Sequence, residues 1–437
     1  MSKVVLVCTI WSLLIVPHQS GLAQDEKESF LQQSQQAGEF LKEIYEKGEY
    51  EAWETRRASE ILSPQLISGP YHEVEETVES QGPLSIFKVQ STFGPFEVKG
   101  EAMLRRLIKE IYALAVLQDT TRTEAFQKGL KEAGSRPLVL YNNLVAHPVA
   151  TLSAVPEGLA TFVAGSVTAV KANRTEYEDR YLEAALVVSR YKRKYATQLG
   201  IDVYTTNPVL QKEMNRLGWA AALGDWTPSL VTLPFSAPII TVYKTSSFSQ
   251  SLINLLSEET PGTLWNQNNE LLKEMGIREG LRESFLNHLA YSPRHKTVIV
   301  RSLATMEKTR NRHRVIELAL PARTENDALS YQQIVEMLAG HHRMESPIEE
   351  IVVYRGLPLG YAKNGTLLFG FPVDYGRWVP FSDYLMRGFA HTRIESKTVR
   401  ARKLWITGKL SPKAKKEIMA LNITAKEEVD QKIGMID

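Results

Sequence analysis

Apolar residues recur along this chain with two different periods. Between Tyr71 and Gly100 the period is two: Phe87, Val89, Ser91 and Phe93 alternate with Ile86, Lys88, Gln90 and Thr92. Breaks at Gly82-Pro83 and Gly94-Pro95 divide the stretch into three short antiparallel strands, a small β-meander. The period then becomes helical. Leu104, Leu107, Ile108, Ile111 and Leu114 share one face of a helix over Glu101 to Gln118, as Phe30, Ala37, Phe40, Leu41 and Ile44 do over Asp25 to Lys47. Further helices are expected from Thr121 to Ala133 and from Pro156 to Val170. The second is narrow, with Gly158, Ala160, Ala164 and Gly165 beside its apolar stripe.

From Arg180 to Trp226 the pattern predicts a helix, a tight turn and a second helix. Gly200 stands where the first helix must end on a residue tolerant of positive φ. Asn207 and Pro208 provide a side-chain cap and a first helical position with no N–H to leave unpaired. Leu230 to Tyr243 is apolar but broken by two prolines, which suits a buried loop or a groove lining. Helices follow over Ser246 to Ser257, Leu264 to Met275, Leu281 to Tyr291 and Pro293 to Met306, where Ser292-Pro293 repeats the cap-then-proline start.

Beyond Lys308 to Arg312 the character changes. The β-branched run His313 to Pro321 reads as a strand, Tyr331 to Ala339 as a helix, and Glu350 to Pro358 and Thr366 to Val373 as strands. A helix over Phe381 to Phe389, a strand over Arg402 to Thr407, a helix over Pro412 to Leu421 and a last strand near Glu427 to Asp430 complete the series. Lys363-Asn364-Gly365-Thr366 marks a hairpin turn. The fold class is therefore α+β: a mainly helical N-terminal and middle region carrying the meander, then a C-terminal β-α-β-β-α-β-like sandwich. The domains are expected at 24–118, 119–310 and 311–437.

Residues 1–23 combine a basic start at Lys3, an apolar run from Val4 to Val16 and small residues at Gly21-Leu22-Ala23. They read as a signal peptide cut after Ala23, which places the protein in the periplasm or otherwise outside the cytoplasm. The one cysteine, Cys8, falls within that run, so a mature chain has neither disulfides nor thiolate chemistry. With 52 basic and 50 acidic residues in 437 the charge is nearly balanced, which argues against a nucleic-acid partner.

Leu199 to Ala221, LGIDVYTTNPVLQKEMNRLGWAA, resembles a motif of a family of exported bacterial proteins without an assigned function. STFGPFEVKG and LWITGKLSPKAKKEI add to the likeness, which spans nearly the whole mature chain. The resemblance implies export and a shared fold, and it carries over no active residues.

No G-x-S-x-G elbow, phosphate-binding G-x-x-x-x-G-K-S/T loop or G-x-G-x-x-G turn is present. Asp374, Tyr375, Arg377 and Trp378 form the most polar and aromatic strand end, a place where an arginine beside a tryptophan grips an anion or a sugar. The alternative is that Arg377 pairs with Asp374 while Trp378 packs beneath the next helix. His341, His342 and Glu345 are the candidate metal ligands, against which stand the absence of H-E-x-x-H spacing and an ordinary exposed helix end; the expectation is no metal and no cofactor. His288 and His295 are expected to make interhelix hydrogen bonds. The function expected is a non-enzymatic envelope protein binding a partner protein or an apolar ligand, with peripheral membrane contact through Pro156 to Val170. The alternative is a hydrolase or transferase acting on envelope material through carboxylates and Arg377.

Overall fold

A computed structural model describes residues 50–52, 55–80, 82–121, 190–223 and 247–436. The expected signal peptide, the helices over 25–47, 121–133 and 156–170, and the 230–243 segment lie outside the described residues, except that a helix reaches Thr121. The described chain is mixed α+β.

Its first strands are β1 (Arg56–Arg57), β2 (Ser68–Gly69), β3 (His72–Val74), β4 (Thr77–Ser80), β5 (Ser85–Ser91) and β6 (Gly94–Lys99). Single-turn helices α1 (Ala58–Ile61) and α2 (Pro64–Ile67) interrupt them. All pair antiparallel in the order β1-β4-β5-β3-β2, and β6 also pairs with β5. Four strands therefore occupy the stretch where three were expected. The alternation holds, because Phe87 and Val89 are buried while Ile86, Lys88 and Gln90 are more exposed.

Helix α3 (Glu101–Thr121) runs through two cores. Leu104, Leu107, Ile108 and Ile111 close the sheet over Val74, Val78, Phe87 and Val89. One turn further on, Ala113, Leu114 and Leu117 pack against Tyr195, Leu199, Leu210, Met214 and Leu217. These last belong to the expected hairpin, whose helices are α4 (190–198) and α5 (Pro208–Leu223). Gly200 takes φ of 65°, and the Ile201 N–H reaches back to the Ala196 carbonyl at 3.0 Å, so the helix ends as its glycine requires. The Asn207 side-chain oxygen accepts from the N–H groups of Val209 at 3.1 Å and Leu210 at 3.3 Å, capping α5.

Helices α6 (Ser247–Glu258), α7 (Pro261–Glu274), α8 (Glu279–Leu286), α9 (Pro293–Ala304), α10 (Arg312–Ala319) and α11 (Glu325–Met344) follow. Ser292 caps α9 through its hydroxyl, and Thr324 and Asp327 form a reciprocal capping box on α11. The run His313 to Pro321, expected as a strand, is helix α10. Val315, Ile316 and Ala319 are buried at helical spacing, so packing against the neighbouring helices overrides the β propensity of the run.

The C-terminal sheet holds β7 (Ile348–Tyr354), β8 (Leu357–Ala362), β9 (Thr366–Phe371), β11 (Ala401–Ile406) and β13 (Ile423–Lys426) in the order β13-β11-β9-β8-β7. Strands β10 (Tyr375–Gly376) and β12 (Lys409–Leu410) pair beside it. Strands β9, β11 and β13 are parallel, joined through α12 (Pro380–His391) and α13 (Pro412–Ala420), whereas β7-β8-β9 is an antiparallel run turned at Gly365. The strand expected near Glu427 to Asp430 lies earlier, at β13, and helix α14 (Val429–Ile433) occupies that position. Leu367, Phe369, Leu404 and Ile406 face α12 and α13, while Leu368 and Trp405 face α11. Helices thus cover both faces of this sheet, and one apolar cluster draws on residues before and after 308–312, from Leu272 to Ile433. No helix among the described residues is long and apolar enough to cross a membrane.

Two glycines separate steric from conformational effects. A Cβ on Gly408 would fall inside contact distance of the Val373 and Asp374 carbonyl oxygens, whereas one on Gly280 meets nothing within 4 Å. Gly408→Ala is expected to lower unfolding free energy by ~2 kcal/mol or more. Gly280→Ala, on an exposed helix, is expected to raise it by ~0.5 kcal/mol; urea titration of both variants gives the comparison.

Candidate functional site

The apolar stripe of α3 is interrupted by Arg105, Arg106 and Glu110, all buried. A buried charge must be paired, and each of these finds its partner in another part of the chain. Arg105 reaches Asp430 of α14 at 3.2 Å as well as Glu101 at 2.8 Å. Arg106 stands in the middle of the larger group: its guanidinium meets Asp202 at 3.0 Å, Glu325 at 2.7 Å and Glu110 at 3.6 Å. Asp202, in the turn between α4 and α5, also accepts from Arg294 at 3.3 Å, and its second oxygen accepts from the Tyr204 N–H at 2.9 Å. Glu325, at the start of α11, accepts from the Thr206 hydroxyl at 2.6 Å, and Glu110 accepts from the Asn207 amide at 3.2 Å.

Electrostatics set the protonation of these groups. Burial disfavours the ionised Asp202, but Arg294 and Arg106 outweigh it and draw the carboxyl below its ordinary value. Burial likewise opposes a charged Arg106, and Asp202, Glu325 and Glu110 more than offset it. For Glu110 burial wins, raising its carboxyl. His295, 1 % exposed, donates from Nδ1 to Gln332 at 2.6 Å. The Gln332 amide is oriented by donating to Glu336 and to the Ile436 carbonyl, each at 2.9 Å. Burial pushes the imidazole down to about 4, so it is neutral, with Nε2 lying 4.0 Å from Glu325.

Beside this network lies a cleft of about 270 Å³ between α3, α4, α6, the α4–α5 turn, the start of α9 and the C-terminal residues after α14. Arg106, Lys109, Arg193 and Arg294 line it, with Asp202 as the one lining carboxylate among the described residues. Ile253 and Leu256 of α6 and Met435 and Ile436 of the tail form an apolar wall. The Tyr204 hydroxyl, in the same lining, is buried and has no hydrogen-bond partner among the described residues.

The residues proposed from sequence lie elsewhere. Asp374 and Arg377 do not pair. The Asp374 carboxylate accepts from the backbone N–H groups of Ser85 at 2.7 Å and Glu101 at 3.0 Å, fastening the C-terminal unit to the start of β5 and of α3. Arg377 donates to the Ala52 carbonyl at 2.7 Å, and the Arg56 guanidinium lies 3.8 Å over the Tyr375 ring. Trp378, 2 % exposed, packs under Leu385, Met386 and Phe389 of α12, as its alternative reading required. Tyr375, Arg377 and Trp378 knit the chain around 50–56 to the C-terminal unit, and Asp374 ties that unit to β5 and α3.

His341 and His342 face different partners. His341 is fully buried rather than on an exposed helix end; Nδ1 donates to the Ser346 carbonyl at 3.2 Å and the ring packs 5.3 Å from Trp405. His342 accepts from the Ile348 N–H at 2.9 Å. Glu345 accepts from Lys403 at 2.6 Å and Lys426 at 2.8 Å; burial opposes its charge, yet the two lysines hold its carboxyl down to about 2. Among the described residues no group of three or more histidine, cysteine and acidic side chains is placed to hold a metal ion. His288 and His295 both make the interhelix bonds expected of them, His288 to the Leu320 carbonyl at 2.9 Å.

Sequence reading missed the cleft, although its central motif contains Asp202, Tyr204 and Asn207. The available signal was the pair Arg106 and Glu110, charged residues lodged within an otherwise apolar helix face.

Two measurements test these assignments. Arg106→Met would leave Glu110 and the partly buried Glu325 without their cation and Asp202 with Arg294 alone, and is expected to cost ~3–5 kcal/mol in urea unfolding. Burial, aided by Glu101 and opposed by the two backbone bonds and Arg105, lifts the Asp374 carboxyl to about 7. The folded state then holds a proton that the unfolded chain has released. Between about pH 4 and 7 the wild type should lose stability relative to Asp374→Asn, by up to ~1.4 kcal/mol per pH unit. A difference that grows in the opposite direction would show that the backbone bonds dominate instead. Comparison with protein-family models, curated proteins and solved structures finds no match to this chain.

Proposed function

We propose that this chain is an exported, non-enzymatic binding protein of the bacterial cell envelope, and that its ligand occupies the cleft beside the Arg106–Asp202 network. The observation that carries this reading is the cleft itself: four cationic side chains and an apolar wall converge on one recess. Recesses with a few convergent polar groups on apolar walls are the usual form of a ligand site. The expected signal peptide and the likeness of Leu199 to Ala221 to exported proteins support export, and that same stretch supplies the turn lining the cleft.

Chemistry favours binding over turnover. A general base needs a carboxylate or imidazole able to take up a proton near neutral pH. Asp202 is drawn below the ordinary carboxylate range by two arginines, and His295 is held neutral with its Nδ1 proton committed to Gln332. Arg377, on which the hydrolase alternative leaned, donates into the backbone of the 50–52 segment.

Thermal-shift screening of the mature chain with neutral, cationic and anionic fragments tests the reading. Fragments that raise Tm should lose their effect in Ser257→Trp, which fills the cleft, and should be recovered chemically unchanged after prolonged incubation. Stabilising fragments that Ser257→Trp leaves equally effective, or fragments consumed by the protein, would overturn it.

A further inference from the structure

The antiparallel sheet ends on one side at a strand whose outer edge is open. Strand β6 pairs with β5 alone, because β3 and β4 share the other side of β5. The Gly100 N–H donates to the Ser85 carbonyl at 2.8 Å, and bonded and non-bonded pairs alternate along an antiparallel ladder from that point. Phe96 and Val98 therefore direct their backbone groups at β5. Glu97 and Lys99 turn theirs outward, and Pro95, which has no N–H, belongs to the same outward set. Among the described residues no backbone group meets those of Glu97 and Lys99 along this edge. Independently of the cleft, we propose that a second copy of this chain pairs here, β6 against β6 antiparallel, about a two-fold axis through Val98.

Charge complementarity selects the second copy and fixes the register. With the axis at Val98, Glu97 of each copy lies directly opposite the partner's Lys99, and every outward N–H of Glu97 and Lys99 finds a carbonyl. An axis at Glu97 or at Lys99 would set like charges face to face, which is destabilising. An axis at Phe96 would place Pro95 opposite the partner's Glu97 and forfeit half of the bonds.

The side chains suit the same contact. Glu97 and Lys99 are exposed on the solvent face, and neither makes an ion pair or side-chain hydrogen bond among the described residues; Lys88, opposite Glu97 in β5, reaches Glu79 at 3.4 Å instead. Phe96 and Val98 are only partly buried against the core of Val74, Phe87 and Val89. Side chains approach most closely at a non-bonded pair, so Val98 meets the partner's Val98 and carries that core across the axis. Natural sheets keep open edges apart with lysine and proline. Here Pro95 shortens the edge, while charges of alternating sign match it to its own copy. An interface of so few residues is small, so the dimer is weak and forms as concentration rises.

Sedimentation of the mature chain from about 1 μM to about 1 mM should show a reversible monomer–dimer equilibrium that added salt weakens. Glu97→Lys and Lys99→Glu should each weaken self-association about tenfold or more, since each turns both cross-strand pairs into like-charge pairs. Mixing the two variants should restore dimers of wild-type strength, as should the double variant, and that recovery shows that the substitutions leave the fold intact. The Glu97 and Lys99 amides should exchange slowly with solvent only where the chain is dimeric, whereas the Val98 amide, bonded to β5, should be slow throughout. A chain that stays monomeric at every concentration, with both amides exchanging fast, means that the charged edge keeps copies apart and overturns the proposal. Slow exchange of both amides in the monomer means that another part of the same chain covers β6, and a dimer indifferent to the charge changes forms elsewhere; either result overturns it too.

Discussion

Arg106 is buried, with Arg105 and Glu110, on a helix whose remaining inward residues are apolar, and the rest of the arrangement depends on how its charge is met. Its partners come from three places in the chain: Glu110 from its own helix, Asp202 from the α4–α5 turn and Glu325 from the first turn of α11. Taking these ions out of water costs several kcal/mol each, and only close mutual pairing offsets it. Hydrophobic attraction is non-directional, whereas the ion group requires the turn of α3 that carries Arg106 to meet the α4–α5 turn and the start of α11, because docking on another turn would leave buried charges without counterions. A buried ion group adds little net stability over well-packed apolar residues, but removing one partner is costly because it leaves the others uncompensated.

Around that fixed point the molecule is joined by polar ties between apolar cores. Asp374 holds the first residues of β5 and α3 through two backbone bonds, Arg105 reaches Asp430 in α14, and Glu51 accepts from the Trp378 N–H and the Ser411 hydroxyl, both at 2.6 Å. The cores themselves are separate clusters: sheet against α3, α3 against the hairpin, and helices on each face of the C-terminal sheet. The cleft opens where these packing surfaces diverge. Its cationic lining is a consequence of the network, since Arg106 and Arg294 present one side to Asp202 and another to the recess.

His295 shows how the interior also limits chemistry. A histidine seven residues after His288 invites a functional reading, yet Gln332, itself fixed by Glu336 and the tail carbonyl of Ile436, holds the proton on Nδ1, and burial removes the positive form at neutral pH. The same wiring ties the C-terminal residues to α11, because the Ile436 N–H donates to Glu336 at 3.0 Å. The tail wall of the cleft is therefore part of the packed structure.

Local chemistry determined what could be read from the residues alone. Gly200, Asn207-Pro208, Ser292-Pro293 and the Asn364-Gly365 turn act on φ and on the hydrogen bonds of their immediate neighbours, so their effects were legible without knowing the fold. The stripe on α3 and the alternation around Phe87 were legible for the same reason: a period reports a face whatever covers it. The run His313 to Pro321 was misread because β propensity is weaker than the packing that made it α10, and the last strand was placed several residues late. Asp374 and Arg377, neighbours in sequence, looked like a pair but point to Ser85, Glu101 and Ala52, nearly three hundred residues away or more. The Arg106–Asp202–Glu325 group and the cleft beside it belong wholly to the tertiary structure. Coulombic pairing in the interior depends on distances of 2.7 to 3.0 Å between groups separated by about a hundred residues or more, and no local pattern encodes that meeting.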